Sequence, residues 1–197
     1  MKIKFGTSKF ALGVLAITGA LAFASSASAK NPKEVKMKID ENNNLVVTTP
    51  KGENGCKWPQ RRGPGCIKVD KDESSELEFH LTSNPNCKLD SGTKWELTAA
   101  YLGGYNSTSK PGEDDFGFDT ITDADYNKVK GDFNIVDRTS GRVTLLNTSS
   151  AKKLIINNEN KHKYVVWYKI EATCERTDGG PAHIRTTDPR VRNGGTN

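Results

Sequence analysis

The sequence predicts an all-β protein, built as an antiparallel sandwich or barrel, with at most one short helix. Apolar and polar residues alternate with period two in about nine or ten short segments. Turn-forming residues separate these segments, and no segment keeps the apolar spacing of an amphipathic helix beyond about two turns. Four cysteines add a third observation, because small exported β domains are commonly held by disulfides.

A hairpin opens the predicted strand series, in which Val35, Met37 and Ile39 alternate with lysines and a turn over residues 40–44 leads into Leu45–Thr49. The clearest strand covers residues 164–173, where Tyr168 and Ile170 point one way and Trp167 and Lys169 the other. The remaining predicted strands are residues 66–70, 77–82, 94–102, 116–122, 133–135, 143–145, 154–156 and 182–187.

One short helix is predicted over residues 123–130. Thr122 or Asp123 would cap its first turn, and Gly131 would stop it. Asp123 and Asp125 with Asn127 also resemble the start of an EF-hand calcium loop, within the acidic segment 113–127. That match fails further on, because Lys128 replaces the glycine that the loop needs. We therefore predict a solvated loop and helix start here, with no metal site and no cofactor.

The first 29 residues have the three parts of a bacterial secretory signal. Lys2, Lys4 and Lys9 precede an apolar stretch, and Ala27-Ser28-Ala29 forms a signal-peptidase site. The prediction is a signal peptide over 1–29, a single domain over 30–197 with a flexible C-terminal end, and a periplasmic or secreted destination. Three lysines of the net charge of +5 belong to the leader. The mature chain is therefore close to neutral, so bulk charge does not indicate nucleic-acid binding.

Cys56, Cys66, Cys87 and Cys174 all follow the predicted signal. An even number in an exported chain indicates two disulfides, and three pairings are possible. We prefer Cys56 with Cys66 and Cys87 with Cys174. The second bond would close a long loop and stabilise the fold by about 4–5 kcal/mol in the chain-entropy model. The spacings do not match those of a zinc site.

The loop between Cys56 and Cys66 presents Trp58, Gln60, Arg61 and Arg62. Trp and Arg dominate many protein interfaces, and a stapled loop loses little freedom on binding. The loop is therefore a candidate recognition site for an anionic or aromatic partner, in the manner of a protease inhibitor. The alternative, which the pattern favours, is a stapled surface loop whose tryptophan folds back onto the core.

Tyr105 is a further binding candidate, because it lies at a strand end where an aromatic ring can stack on a sugar. Trp95 and Trp167 are instead predicted to be core residues. None of the histidines, His80, His162 and His183, stands in a recognised catalytic motif. No catalytic residue is therefore predicted, although a triad can assemble from distant positions.

The tail carries a resemblance to a known family. The segment from Thr186 to Asn193, with Asp188, Pro189 and Asn193, resembles the closing segment of the DP-EP family of small secreted bacterial proteins. The resemblance implies an immunoglobulin-like sandwich and no established activity. The arginines of the tail could form an anion-contacting arm, or the tail could be a final edge strand with a frayed end.

These patterns favour an exported, non-enzymatic binding or accessory protein that presents loops from a β-sandwich. Its partner would be an unknown protein or glycan of the cell envelope or exterior, with no nucleic acid and, after signal cleavage, no membrane. Two alternatives stay open. One is an inhibitor of a secreted hydrolase through the loop between Cys56 and Cys66, and the other is a cryptic periplasmic hydrolase that uses His80 or His183.

Overall fold

The computed structural model describes residues 31–49, 65–83, 94–107, 112, 116–174, 182–185 and 190–195, the stretch 182–185 by its backbone alone. The predicted signal peptide lies outside these residues, as do Cys56, Cys87 and residues 58–62. Within the described part, two mixed sheets and one helix confirm the predicted all-β class. The elements are β1 Lys33–Ile39, β2 Leu45–Thr49, β3 Ile67–Val69, β4 Ser75–Ser83, β5 Glu96–Gly103, α1 Asp123–Phe133, β6 Lys153–Asn158, β7 Lys163–Cys174, β8 Ala182–Arg185 and β9 Arg190–Gly194.

The first sheet has four strands in the order β2-β1-β4-β6. The predicted hairpin of β1 and β2 is confirmed, and its turn is closed by Asp40, whose carboxylate accepts the backbone N–H groups of Asn42 and Asn44 at 2.9 and 2.7 Å. β1 runs parallel to β4, with Val35 beside Phe79. The prediction of a purely antiparallel arrangement is therefore wrong for this sheet.

The second sheet has five strands. Four follow the order β3-β9-β7-β5, and β8 pairs with the far end of β7. β9 is antiparallel to β7 but parallel to β3, so this sheet is mixed as well. Period-two alternation reports which face of a strand is buried and carries no information about the direction of its neighbour, which is why sequence reasoning missed both parallel pairs.

The two sheets pack against each other across one apolar core. Phe79 of the first sheet meets Tyr168 of the second, with ring centroids 5.0 Å apart. The hydroxyl of Tyr168 donates to the backbone oxygen of Gly65 at 2.7 Å. The single polar atom of this buried side chain therefore has a hydrogen-bond partner. The inward residues of β4 and β7 that were predicted from alternation, among them Leu77 and Ile170, are buried in this core.

A β-bulge in β5 changes the predicted face of half that strand. Trp95 and Leu97 enter the core as expected, but the register shifts between Leu97 and Ala99. After the shift Ala100 and Leu102 belong to the core, and Tyr101 lies on the opposite face. An extra residue on one strand reverses every later side chain, so strict alternation gave the wrong face for Ala99 and Tyr101.

Three predicted strands, 116–122, 133–135 and 143–145, are wrong. Phe133 ends α1, and Phe118 lies in a connecting segment. Ile135 and Val143 form only an isolated bridge with each other. These apolar side chains are buried nevertheless, because they cover the edges of the sheets. Apolar spacing alone did not distinguish a covering segment from a strand.

The helix begins as predicted and ends later. The hydroxyl of Thr122 caps it by accepting the backbone N–H of Asp125 at 3.2 Å. Gly131 does not stop the helix, which continues to Phe133. Asn134 closes it in the left-handed conformation, φ 52°, and its N–H donates to the carbonyl of Lys130. Asparagine tolerates this conformation better than most residues, so it replaces glycine as the C-terminal signal.

The tail is the largest correction to the predicted fold. The sequence predicts for the tail, residues 175–197, a final edge strand with a frayed end or an anion-contacting arm, and no strand over residues 190–194. These residues form β9, which is inserted between β3 and β7, and both Val191 and Asn193 are buried. Residues 196–197 and 186–189 lie outside the described part of the chain.

Cys66 precedes β3 and Cys174 ends β7, and both are buried. Neither is a free thiol. Their preferred partners lie outside the described residues, so the pairing stays a prediction. Within the described ranges, no helix has the length and apolar character needed to cross a membrane.

Candidate functional site on the outer face of the five-stranded sheet

Of the predicted binding residues, only Tyr105 falls in the described part of the chain; Trp58, Gln60, Arg61 and Arg62 do not. Tyr105 follows β5 and is half-buried. Its ring packs 5.5 Å from that of Tyr164, and its hydroxyl donates to Asp125 Oδ1 at 3.1 Å. Burial and the neighbouring carboxylate raise the pKa of Tyr105. The residue thus ties the start of the segment between β5 and α1 to the helix.

Trp167, which the sequence predicted to be a core residue, is buried on the outer face of β7 and not in the core cluster between the sheets. Trp167, Lys169 and Glu171 alternate with core residues and point away from the first sheet. Lys169 is only 5% exposed and Glu171 only 8%, and Arg190 of β9, opposite Trp167, is also 8% exposed. Buried charges are costly unless they have partners, so a layer of chain must cover this face and supply them.

Aromatic rings accompany both cations on this face. Lys169 Nζ lies 4.4 Å from the ring centroid of Phe116 and 5.2 Å from that of Tyr101. The guanidinium of Arg190 stacks over Trp167 at 4.3 Å. Each such cation–π contact is worth about 0.5–2 kcal/mol, more where water is excluded. Phe116 belongs to the segment between β5 and α1, so Lys169 holds that segment against the sheet.

We call residues 104–122, the segment between β5 and α1, the β5–α1 connection. Its first residues are fastened to β7 through backbone and side-chain hydrogen bonds. Asn106 donates its N–H to the oxygen of Val165 at 2.8 Å, and its side-chain oxygen accepts the N–H of Val165 at 3.0 Å. The indole of Trp167 donates to the oxygen of Ser107 at 3.3 Å.

The far end of the connection is held by Arg138. The guanidinium donates to the backbone oxygens of Phe118 and Ile121 at 3.2 and 2.9 Å, and it pairs with Asp123 at 2.7 Å. The same group lies 4.7 Å from the ring centroid of Tyr126. In the described part of the connection, residues 106–107 and 118–121 are therefore held in place, while Asn106, Asp119 and Thr120 remain exposed. Such an arrangement suits recognition, because little freedom is lost when a partner binds.

A second polar group lies at the start of β7, around Asp132. Asp132, 1% exposed, accepts the backbone N–H groups of Lys161 and His162 at 2.9 and 3.2 Å and the hydroxyl of Tyr164 at 2.8 Å. His162 Nδ1 lies 3.4 Å from the same carboxylate. The carboxylate of Asp132 thus binds the turn between β6 and β7 and the start of β7, which is a structural role.

His80, a histidine of the hydrolase alternative, lies on the outer face of the first sheet. Its Nε2 is 3.0 Å from Glu78 and 3.7 Å from Glu34. Lys153 also pairs with Glu78, at 2.9 Å. Partial burial acts to raise the pKa of Glu78, but the bonds from Lys153 and His80 outweigh it and hold that pKa below its usual value. The ring of His80 thus meets carboxylates in a charged surface ladder. Of His183 only the backbone is described, in β8.

No group of histidine, cysteine and carboxylate side chains within the described residues could hold a metal ion. In the segment that resembles the start of an EF-hand loop, Asp125 pairs with a neighbouring side chain of the helix. The Asp125 carboxylate accepts a hydrogen bond from Lys128 Nζ at 2.8 Å. This bond, together with those from Tyr105 and Thr122, lowers the pKa of Asp125.

Comparison with known proteins adds no functional assignment: no family model matches the chain, and no curated protein matches it significantly. The resemblance to the DP-EP family is therefore untested. Sequence reasoning missed Lys169 as an organising residue, because a charged residue on the outer face of a strand is normally solvated. It also missed Arg138, which lies in a turn, and it considered Arg190 only as one of the arginines of the tail. The aromatic content of the neighbouring segment, Phe116 above all, was the available signal.

The alkaline titration of the tyrosines tests this description of the core. Burial raises the pKa of Tyr164, where Asp132 adds to the shift, and of Tyr168. In an unfolded chain the tyrosine side chain ionises at about pH 10. A raised pKa means that stability is fully present below about pH 10 and falls as the pH rises further, because only the unfolded state releases these protons.

We therefore expect Tyr164 and Tyr168 to stay neutral until the chain unfolds, which near-ultraviolet absorbance of tyrosinate measures against pH. Circular dichroism recorded in parallel reports folding. The denatured chain, in which all five tyrosines titrate together, is the control. Full ionisation of all five while the native spectrum persists would contradict the burial of these two hydroxyl groups.

Proposed function

We propose that this chain is a non-enzymatic binding or accessory protein, exported to the cell envelope or exterior, that recognises a protein or glycan through segments presented by its β scaffold. The β5–α1 connection is the recognition element for which the described residues give support. One observation carries the proposal: Trp167 fastens the connection at Ser107 near its start, and Lys169 at Phe116 and Arg138 at Ile121 fasten it towards its end.

This anchoring involves buried charge that the fold does not need for its core. Lys169 and Arg190 lie on the outer face, away from the apolar interior between the sheets. Apolar residues of the same size would cover this face without the cost of desolvating charges. The contact of Lys169 with the ring of Phe116 instead holds that residue of the connection against the sheet, which favours a role in recognition.

The setting of this site is part of the proposal. We propose that residues 1–29 are a signal peptide and that the oxidised chain pairs Cys56 with Cys66 and Cys87 with Cys174. The burial of Cys66 and Cys174 and the lack of a free thiol at either support oxidation. Two facing sheets are compatible with the immunoglobulin-like sandwich that the DP-EP resemblance implies, although their parallel pairs call for direct comparison with that fold.

A binding screen with a matched pair of variants tests the proposal. The mature chain, immobilised, is exposed to a glycan array and to an envelope protein fraction. Asp119→Ala with Thr120→Ala removes two exposed side chains of the connection. We expect this variant to bind the captured glycan or protein about tenfold more weakly, as loss of an interface contact of about 1.4 kcal/mol would give.

The control is Glu34→Ala with Thr82→Ala, which makes the same chemical changes at exposed positions on the outer face of the first sheet. It should bind as the wild type does. Equal binding by both variants would place recognition elsewhere, for example in the loop between Cys56 and Cys66. Turnover of a substrate by the wild type, with no ligand captured, would argue for the hydrolase alternative.

A further inference from the structure

Three cations lie close together on the outer face of the five-stranded sheet, where β3, β9 and β7 are neighbours. The residues on either side of Arg192 in β9 are buried in the interior, so Arg192 points to the outer face. It stands in register with Lys68 of β3 on one side and with Val165 of β7 on the other. Lys163 lies two residues before Val165, on the same face of β7. Neighbouring strands are about 4.8 Å apart, so we call Lys68, Lys163 and Arg192 together the cationic face.

Carboxylates neutralise only part of this charge. Lys68 forms an ion pair with Asp70. Arg192 is half-buried and Lys163 is exposed, and neither side chain has an ion pair or a hydrogen bond within the described part of the chain. Three cations and one carboxylate leave an excess of two positive charges on the cationic face.

The arrangement of these charges does not serve the fold. Like charges directly opposite each other weaken a strand pair, and Arg192 and Lys68 are opposed in this way. Both point away from the core, so neither contributes apolar packing to it. An anion bound between them would replace this repulsion by attraction, because a guanidinium donates two parallel bonds to a carboxylate or phosphate group.

We propose that the cationic face binds an acidic polysaccharide, a chain whose sugar units carry carboxylate or phosphate groups. Val165, half-buried beside Arg192, gives an apolar surface for a sugar ring between hydrogen-bond donors. The inference rests on the proposed function, because it names the class of partner for a surface that adjoins the β5–α1 connection. Asn106 of that connection is bonded to the backbone of Val165 on the side away from Arg192.

Other anionic partners fit this face less well. Nucleic-acid binding relies on many phosphate contacts made at once, and an excess of two charges supplies few of them. Binding to an anionic membrane surface uses apolar side chains that enter the lipid beside the cations. Val136 is the one large hydrophobic residue that is exposed in the described ranges, and it follows α1 instead of lying on this face.

Calorimetric titration of the mature chain with defined polymers tests the inference. Polygalacturonate supplies carboxylates and phosphomannan supplies phosphates, while methyl-esterified polygalacturonate and neutral mannan are the uncharged counterparts. We expect at least one acidic polymer to bind about tenfold more tightly than its counterpart, and the tighter of the two identifies the acidic group. Binding of neither acidic polymer, or equal binding of charged and uncharged chains, overturns the proposal. So does equally tight binding of polyglutamate, a polypeptide that carries the same kind of charge.

Substitutions place the binding on the cationic face. Arg192→Gln should raise the Kd of the acidic polymer about tenfold, and Lys163→Gln, at an exposed position, about threefold. Lys38→Gln makes the same change at an exposed position of β1 and should leave the Kd unchanged. Because Arg192→Gln also removes the repulsion with Lys68, its denaturant midpoint should be no lower than that of the wild type. A folded Arg192→Gln variant that binds as Lys38→Gln does overturns the assignment.

The envelope screen described above separates this inference from the proposed function. Suppose that the chain captures a neutral glycan or a protein, and that Asp119→Ala with Thr120→Ala weakens this binding while Arg192→Gln does not. The proposed function then stands and the cationic face is not its site. Capture that neither variant weakens contradicts both proposals.

Discussion

Asp132→Ala is expected to lower the free energy of unfolding by about 3–5 kcal/mol, because it leaves several buried donors without an acceptor. The carboxylate accepts the N–H groups of Lys161 and His162, the hydroxyl of Tyr164, and the amide of Asn193 at 3.5 Å. These donors belong to the turn between β6 and β7, to β7 and to β9. Chemical denaturation followed by tryptophan fluorescence measures the effect.

Two further variants show whether the loss comes from this network. Asp119→Ala removes an exposed carboxylate whose contact with Thr139 spans 3.4 Å, so its effect should stay within about 0.5 kcal/mol. Tyr164→Phe removes one donor and leaves the carboxylate with its other partners, so a loss of about 1 kcal/mol is expected. A loss for Asp132→Ala no larger than that of Asp119→Ala would show that water replaces the missing acceptor.

The network around Asp132 could not be predicted from the sequence. Its members are an aspartate late in a helix and asparagines near the ends of β6 and β9, and each of these residues alone is typical of a solvated turn. Asn160 extends the network by donating to the oxygens of Asp70 and Glu73 at 2.6 and 2.9 Å. Polar residues become buried only where several turns meet, and which turns meet depends on strand order.

The apolar faces of β4 and β7 could be predicted, because burial of one side of a strand imposes alternation along it. For the same reason the hairpin of β1 and β2 was found with its turn. The failures share one physical cause. Local spacing does not encode contacts with partners far away in the sequence. Three features depend on such partners: the bulge in β5, the parallel neighbour of β1, and the position of residues 134–146 over the sheet edge.

The candidate site shows this limit most directly. Alternation placed Lys169 on the face of β7 opposite the core, and that position is confirmed. Its burial is not encoded in β7 alone, because Phe116 of the β5–α1 connection and Tyr101 of β5 both lie against it. The sequence identified Tyr105 of this connection as a binding candidate, but it gave no indication that buried cations fasten the segment.

The edge of β5 is covered by a backbone segment that passes very close to it. Gly141 accepts the N–H of Leu102 at 2.9 Å, and Val143 donates to the oxygen of Ala100 at 3.1 Å. Gly141 has a φ of +71°, and a Cβ placed on it would lie 1.8 Å from the oxygen of Leu102. Both the conformation and the contact therefore require glycine at this position.

Gly141→Ala is accordingly expected to destabilise the protein by about 3 kcal/mol or more, since the covering segment must move off the edge of β5 to admit one methyl group. Gly131→Ala is the matched control, because that glycine lies within α1 and nothing stands within 4 Å of the added Cβ. There alanine should stabilise the fold by about 0.5–1 kcal/mol, through the greater helix propensity of alanine. Denaturant unfolding of the two variants should thus give changes of opposite sign. Equal, small changes would mean that residues 141–143 do not cover the β5 edge in solution, and that this edge is open to pairing with another strand.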